Sequence, residues 1–330
     1  MILLTGGLGF IGSHIAIELL THNYSVIILD NLSNSSLDVL NKIEMITDKK
    51  FIFYQGDYQD ETLLTKVFTQ HTVDCVIHLA AYKSVSESMS NPLKYYQNNI
   101  SGLITLLSMM ETHHIKNMIY SSSATVYAPS SHALKETSPK EPINPYGQTK
   151  LMAEKILFDL KDQMNIIILR YFNPVGCHSG GLIGDNPTIA SNLFPHILNT
   201  IRGKSFGDSR TEPCVQIFGC DYATYDGTAI RDYIHITDLA KGHIQAMSKL
   251  SKGIQTYNLG TGKGYSVLEV VSSFNKYTNI RYQFKDRRSG DAPAVFADVS
   301  LARQELDWRP TKSLEDMIVD SLKFVKMNPL

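Results

Sequence analysis

Short apolar runs alternate with longer stretches of helical periodicity through most of the chain. The first run, 2–5, predicts a strand; a helix with an apolar stripe follows over about 10–22, and 25–29 predicts a second strand ending at Asp30. The same reading places strands at 51–54, 73–79, 117–122 and 165–171, and helices at 61–70, 92–114 and from Pro145 onward. Runs this continuous suit strands buried on both faces, and their alternation with helices predicts a parallel sheet. After Tyr171 the pattern loosens. Residues 177–227 are rich in Gly, Pro, Asn and Ser, with one helix near 193–203. The chain then returns toward the main sheet: strand or turn into helix over 232–249, and a short strand at 256–259. A helix at 266–277, a strand at 281–284 and a last helix at 314–326 complete the pattern.

Where the first strand meets the first helix the chain reads TGGLGFIG, residues 5–12. In a strand–loop–helix–strand–acid unit this spacing carries a dinucleotide. Gly6 permits the tight turn, Gly9 lets the backbone approach a pyrophosphate, and Gly12 lets helix pack closely on strand. The helix amino terminus favours the phosphate charge. Asp30 is placed to accept hydrogen bonds from an adenosine ribose. It would repel a ribose 2′-phosphate, and no arginine follows it nearby, so the unit predicts NAD rather than NADP. The fold class is therefore α/β, a Rossmann-type doubly wound parallel sheet with a smaller C-terminal α/β substrate lobe. Asp57 stands where a side chain reaches the adenine, or in a plain surface turn. Lys83 suits a nicotinamide ribose or a phosphate, or simply water. Asn98 faces the cofactor or the open surface of its helix.

The chemistry is expected in 121–150, SSSATVYAPSSHALKETSPKEPINPYGQTK. Pro145 suits the first turn of a helix. Tyr146 and Lys150, four residues apart, then share a face, with the ammonium beside the phenol. A free phenol has a pKa of roughly 10, so work as a base near pH 7 asks for ~4 kcal/mol in favour of phenolate. A lysine and a second positive charge, such as an oxidised nicotinamide ring, act in that direction. Ser123 follows a strand end, where α/β sheets place their sites, and its hydroxyl both donates and accepts. In the carboxyl-terminal half Arg231, Arg288 and Asp291 fit a nucleotide diphosphate: arginine forks for phosphate oxygens, a carboxylate for ribose hydroxyls. A surface salt bridge between Arg288 and Asp291 accounts for two of them equally well.

Composition narrows the class. At 330 residues, one large unit with a smaller lobe is expected. Charges nearly cancel, 31 basic against 32 acidic, with no basic run, which argues against a nucleic-acid or membrane-surface partner. Cys75, Cys177, Cys214 and Cys220 are scattered without a CxxC pair and read as reduced thiols of a cytoplasmic protein. A strand beginning at Ile2 leaves no room for a signal peptide, and no apolar run approaches the ~20 residues of a membrane span. No metal site is expected.

Nearly end to end, the chain resembles UDP-glucose 4-epimerases, in the extended branch of the short-chain dehydrogenase/reductase superfamily. The motifs that carry the resemblance are TGGLGFIGSH at 5–14, LDNLSNS at 29–35, SSSATVY at 121–127, PYGQTKLMAE at 145–154, LRYFNPVG at 169–176, DGTAIRDYIH at 226–235, YNLGTG at 257–262 and RRSGDAPA at 287–294. The resemblance implies a catalytic trio of Ser123, Tyr146 and Lys150. It implies NAD contacts from Gly6, Gly9, Phe10, Ile11, Gly12, Asp30, Asn31, Asp57, Tyr58, Leu79, Ala80, Lys83, Asn98, Ser121 and Tyr171, together with Tyr146 and Lys150. For a UDP-hexose it implies Lys83, Ser123, Tyr146, Asn173, Asn192, Leu193, Arg231, Arg288, Asp291 and Val295. It implies an NAD-binding domain of 1–173 plus about 231–262, a UDP-sugar domain of about 174–230 and 263–330, and a homodimer. Ala128 replaces a usual glycine, with little consequence expected. Val295 stands where some members carry tyrosine; the smaller residue resembles enzymes that also accept N-acetylated UDP-sugars. Alternatives are an epimerase acting mainly on UDP-N-acetylhexosamine or UDP-glucuronate, and a catalytically silent NAD-sensing protein.

Overall fold

The computed structural model describes residues 1–185, 192–204, 212–288 and 290–329. In chain order its strands are β1 (Ile2–Thr5), β2 (Val26–Asp30), β3 (Ile52–Gln55), β4 (Cys75–His78), β5 (Asn117–Ser123), β6 (Asn165–Tyr171), β7 (Asn173–Val175), β8 (Val215–Phe218), β9 (Ile230–His235), β10 (Gly253–Leu259), β11 (Gly264–Ser266), β12 (Tyr282–Lys285) and β13 (Ala294–Val295). The helices are α1 (Phe10–Thr21), α2 (Asp38–Thr47), α3 (Glu61–Gln70), α4 (Val85–Ser90), α5 (Pro92–Tyr96), α6 (Gly102–Thr112), α7 (Pro145–Asp159), α8 (Leu193–Ile201), α9 (Ile236–Ser248), α10 (Val267–Phe274), α11 (Ser300–Glu305) and α12 (Leu314–Met327).

Seven parallel strands form the main sheet in the order β10-β6-β5-β4-β1-β2-β3. Alternate side chains leave opposite faces, and the two faces bury separate cores. Leu4, Ile28, Ile77, Ile119 and Ile167 pack toward α1 and α9, joined by Ile15, Leu19 and Leu239. Leu3, Ile27, Val76, Met118 and Ile166 pack toward α3, α6 and α7, with Leu64, Leu106 and Leu157. Burial on both faces is why these strands read as unbroken apolar runs. β1 lies between β2 and β4, so the winding reverses there, and such a switch point opens a crevice at the strand ends.

The second lobe is built on β9, which pairs with β7, β11 and β13. Of the segment expected to return to the main sheet, α9 and β10 do so, while β9 turns aside into this separate sheet. A third core, including Phe194, Ile197, Val271, Phe274 and Phe324, lies beneath it. In the loose region 177–227 the described residues include β8 as well as α8, with β8 paired to β12; 186–191 and 205–211 lie outside the described residues.

One expectation is corrected, and one helix is added. The helix expected over 92–114 is interrupted by a π-turn, Gln97–Ser101. Such turns re-aim side chains and often mark functional sites; this one redirects Asn98 and Asn99. The helix α2 is not among the expected elements, although Val39, Leu40, Ile43 and Ile46 recur at helical spacing and pack on the first core. It buries only Ile43 fully.

Candidate functional site

The glycine loop occupies the switch point. Gly6 has φ +69, the left-handed conformation a side chain resists, and an added Cβ would lie 2.9 Å from the Ala80 nitrogen. Ala80 thus lies against the loop, and Leu79 N donates to the Thr5 carbonyl at 3.2 Å. Gly9 caps α1, and no side chain accepts from its first turn. Phe10, Ile11 and Gly12 open that uncapped turn, an arrangement suited to a pyrophosphate.

Asp30 ends β2 and is buried. It accepts from Leu8 N at 2.9 Å, Leu32 N at 2.9 Å and Ser35 Oγ at 2.7 Å. A carboxylate offers about four lone-pair sites, so a ribose hydroxyl still finds an acceptor. Asn31 donates to Asp57 at 2.9 Å, which gathers two of the adenine-side residues. Tyr58 is buried, and its hydroxyl donates to the Asn98 carbonyl. The Asn98 side chain accepts from Gln59 at 3.3 Å and donates to Asn99 at 2.9 Å. The residues present therefore fit NAD: an uncapped helix start, small backbone around it, and an acid at the next strand end.

At the reacting end, Pro145 occupies the first turn of α7, and Asn144 caps it by accepting from Gly147 N at 2.9 Å. A Cβ on Gly147 would lie 2.5 Å from the Thr125 carbonyl, so only glycine lets the start of α7 sit against the turn after β5. That contact brings Tyr146 to Ser123. Ser123 ends β5, and its oxygen accepts from Thr125 Oγ1 at 3.0 Å and Thr125 N at 3.2 Å.

The electrostatics depart from the expectation. Lys150 is buried, but its ammonium donates to the Ser121 carbonyl at 2.5 Å and lies 4.9 Å over the Tyr120 ring. Burial pulls it down to about 7, opposed by Glu154. Burial pushes the Tyr146 phenol up to about 12, with the Ser123 hydroxyl pulling the other way. The phenol is therefore held protonated, because desolvation outweighs the stabilisation the chain supplies. Tyr171 is buried at the end of β6, opposite Ser123 in register, with its hydroxyl bonded to His243.

Of the candidate substrate residues, Asn173, Arg231, Asp291 and Val295 gather around β9. Arg231 lies opposite Val295 in register, and Asn173 lies opposite Tyr233. Arg231 donates to Asp291 at 3.0 Å. Asp291 is thus paired with Arg231, and its charge also acts on Arg288. The Arg288 guanidinium stacks 3.9 Å from the Phe218 ring centre. Asn192 caps α8 without a side-chain bond, and Leu193 is its first residue. A Cβ added at Gly290 would lie 3.9 Å from the Ile143 carbonyl oxygen and 4.0 Å from Asn144 Cβ, so the loop carrying Asp291 runs beside the start of the Tyr146 helix. Lys83 is exposed, and its charge acts on the Asp185 carboxyl, which burial pushes up.

Some positioning groups escaped the sequence reading. Asn99 accepts from Tyr82 N at 3.0 Å and donates to Tyr82 O at 3.0 Å and Thr149 Oγ1 at 3.1 Å. It ties the loop of Lys83 to the helix of Tyr146, and a π-turn leaves no simple periodicity to reveal it. Asn144 was legible: asparagine before proline at a helix start is a capping signal.

The profile of the NAD dependent epimerase/dehydratase family matches residues 2–260. A UDP-glucose 4-epimerase of Dictyostelium discoideum is 47% identical over 99% of this chain and 96% of its own. One from Bacillus subtilis (strain 168) is 45% identical, over 99% and 97%. The crystal structure of UDP-glucose 4-epimerase from Bifidobacterium longum in complex with NAD+ and UDP is similar with a TM-score of 0.95 and 44% identity, covering 99% of this chain and 98% of that one.

Proposed function

The chain belongs to the NAD dependent epimerase/dehydratase family, and on that premise we infer that it interconverts UDP-glucose and UDP-galactose with NAD as cofactor. What supports the reading is Tyr146 beside Ser123 at the end of β5, Lys150 one turn on along the same face of α7, and the glycine loop at the switch point of the same sheet. NAD, when bound, would supply the oxidant and reductant for C4 and, when oxidised, a positive charge favouring phenolate, which Lys150, turned to the Ser121 carbonyl, supplies only in part. Tyr146, assisted by Ser123, takes the proton from the 4-hydroxyl. The 4-keto sugar turns about its diphosphate link, and Tyr146 returns the proton after reduction on the other face. Arg231, Arg288, Asn173, Asn192 and Leu193 hold the UDP, leaving the hexose loosely gripped. Asp291 serves the uridine ribose while paired with Arg231. The NAD-binding unit is 1–173 with α9 and β10, since β9 (Ile230–His235) sits in the second sheet; the remainder serves the UDP-sugar.

The test is a proton NMR time course on the purified protein, following the anomeric signals of UDP-galactose without added NAD. Conversion to UDP-glucose is expected; silence both without and with added NAD overturns the reading. Neither a UDP-glucuronate enzyme nor a silent NAD sensor is favoured by relatives of this similarity.

Val295 extends the reading to N-acetylated sugars. It is half-buried on β13 beside Arg231, and valine leaves room that tyrosine would fill. Wild type is expected to convert UDP-N-acetylgalactosamine. Val295→Tyr should lower that rate about tenfold or more while sparing UDP-galactose, since one pocket substitution is worth about 10–200-fold. Equal rates on both sugars in the variant would remove Val295 from the account.

A homodimer and a cytoplasmic location complete the proposal. Leu93 is 81% exposed and Ile104 49%, on α5 and α6, with Met152 exposed on neighbouring α7, an apolar surface suited to a second copy. Among the described residues no helix is long and apolar enough to cross a membrane.

A further inference from the structure

One face of α7 carries Tyr146, Lys150 and Glu154 at successive four-residue steps, and all three are buried. The first two have roles in the reaction proposed above; Glu154 has none. Its carboxylate forms a bidentate pair with Arg170 of β6, Nε to Oε1 at 2.9 Å and Nη2 to Oε2 at 2.7 Å, with both side chains 1% exposed. Oε1 also accepts from Ser122 Oγ at 2.6 Å. Arg170 Nη1 donates to the Tyr127 hydroxyl at 2.8 Å and the Glu136 carbonyl at 2.9 Å. Tyr127 in turn donates to Asn258 of β10 at 2.6 Å.

A buried ion pair is a poor stabilising device, because well-packed apolar residues often do as well. Its placement points to another use. Ser122 stands between Ser121, whose carbonyl holds the Lys150 ammonium, and Ser123, which meets Tyr146. Successive residues of a strand face opposite ways, so Ser122 joins Tyr120 on the face toward α7. Glu154 therefore grips the strand at the one residue that sets both neighbours.

We propose that Glu154, clamped by Arg170, is a positioning residue for the epimerisation, holding Ser121 and Ser123 in place through Ser122 and setting a carboxylate one helical turn from the Lys150 ammonium. This rests on the functional reading above. The titratable groups facing Lys150 are His78 from β4, Tyr120 from β5, and Tyr146 and Glu154 from its own helix, with Tyr171 of β6 near Tyr146. Burial holds His78 neutral, at about 3, and holds the tyrosines protonated. Glu154 is thus the anion that favours the Lys150 ammonium. Without it, Arg170 is left as an uncompensated positive charge in the same interior.

Glu154→Gln and Ser122→Ala, purified as the complete protein with whatever NAD they retain, test this against pH. Glu154→Gln should lower kcat on the order of tenfold to a hundredfold, the range a small misplacement causes, with KM for the UDP-sugar within about twofold. Its alkaline limb should move about one pH unit lower, because loss of an opposite charge lowers the pKa of a lysine. Ser122→Ala keeps the charge, so its kcat should fall several-fold with the limb unmoved. Glu154→Asp should restore the limb. An NMR titration of lysine 13Cε signals, with Lys150→Met assigning the resonance, reads the Lys150 shift without turnover. A silent wild type would defeat the functional reading and still leave this titration to decide the charge effect. Wild-type kcat in both variants overturns the proposal, as does an unmoved Lys150 titration in Glu154→Gln. If Glu154→Gln does not fold, Ser122→Ala decides alone: unchanged kcat overturns it.

Discussion

Tyr146→Phe should lower turnover of UDP-galactose by about 10³-fold, within the 10²–10⁴ range of a positioned acid–base group. The phenol is 9% exposed at the start of α7, and the change removes one oxygen from a ring that keeps its packing against Tyr95. Its partner at the oxygen, Ser123, accepts from Thr125, so the loss frees only the Ser123 O–H, which is half-buried and can turn to water. The fold should survive, and NAD and UDP binding should stay at the wild-type level. The discriminating pair of measurements is the NMR rate and calorimetric binding of UDP. A near-normal rate would remove Tyr146 from the chemistry; a loss of UDP binding equal to the loss of rate would make it a binding residue. The residual rate should also lose the pH dependence that the phenol imposes. In the free protein that phenol is held up at about 12 by burial, with the Ser123 hydroxyl acting against it. The wild-type rate near neutrality therefore depends on the positive charge that accompanies oxidised NAD, and should rise with pH until Lys150 loses its proton.

The second large effect is at Gly12. A Cβ there would stand 2.2 Å from the Gly6 carbonyl oxygen, 2.7 Å from Gly7 Cα and 2.9 Å from Gly7 C. All three are backbone, and the Gly6 carbonyl also accepts from Gly9 N at 3.2 Å. No rotamer change relieves the clash; α1 must move off β1 or the loop must open. Overpacking of this kind costs about 1–3 kcal/mol, more where only backbone can yield. Gly12→Ala should lower the melting temperature by several degrees and yield protein without bound NAD. At Gly9 an added Cβ meets only the Gly6 oxygen, at 3.4 Å. Gly9→Ala should therefore fold normally and lose NAD affinity alone. Thermal unfolding and the absorbance of released NAD separate the cases. Retention of NAD by Gly12→Ala would show that the loop tolerates displacement and would weaken the placement of the pyrophosphate.

How much was legible follows from how local each signal is. The glycine loop, the acid at Asp30, the Tyr146–Lys150 spacing and the first strands are each set by residues adjacent in sequence, through backbone freedom, helical period and two-sided burial. These determined the parallel sheet, the glycine loop at its switch point and the shared face of Tyr146 and Lys150. The tertiary structure decided what depends on distant partners. Desolvation by the packed interior, invisible in a four-residue spacing, holds the phenol up and sends the Lys150 ammonium to the Ser121 carbonyl. β9 leaves the main sheet because β7, β11 and β13 pair with it, and no local pattern records a strand's neighbours. Arg231 takes Asp291, sixty positions away, through the register of the second sheet. Glu154 stood in plain view, one more turn along the Tyr146 face. Its meaning needed Arg170 and Ser122, which only the folded sheet brings against it.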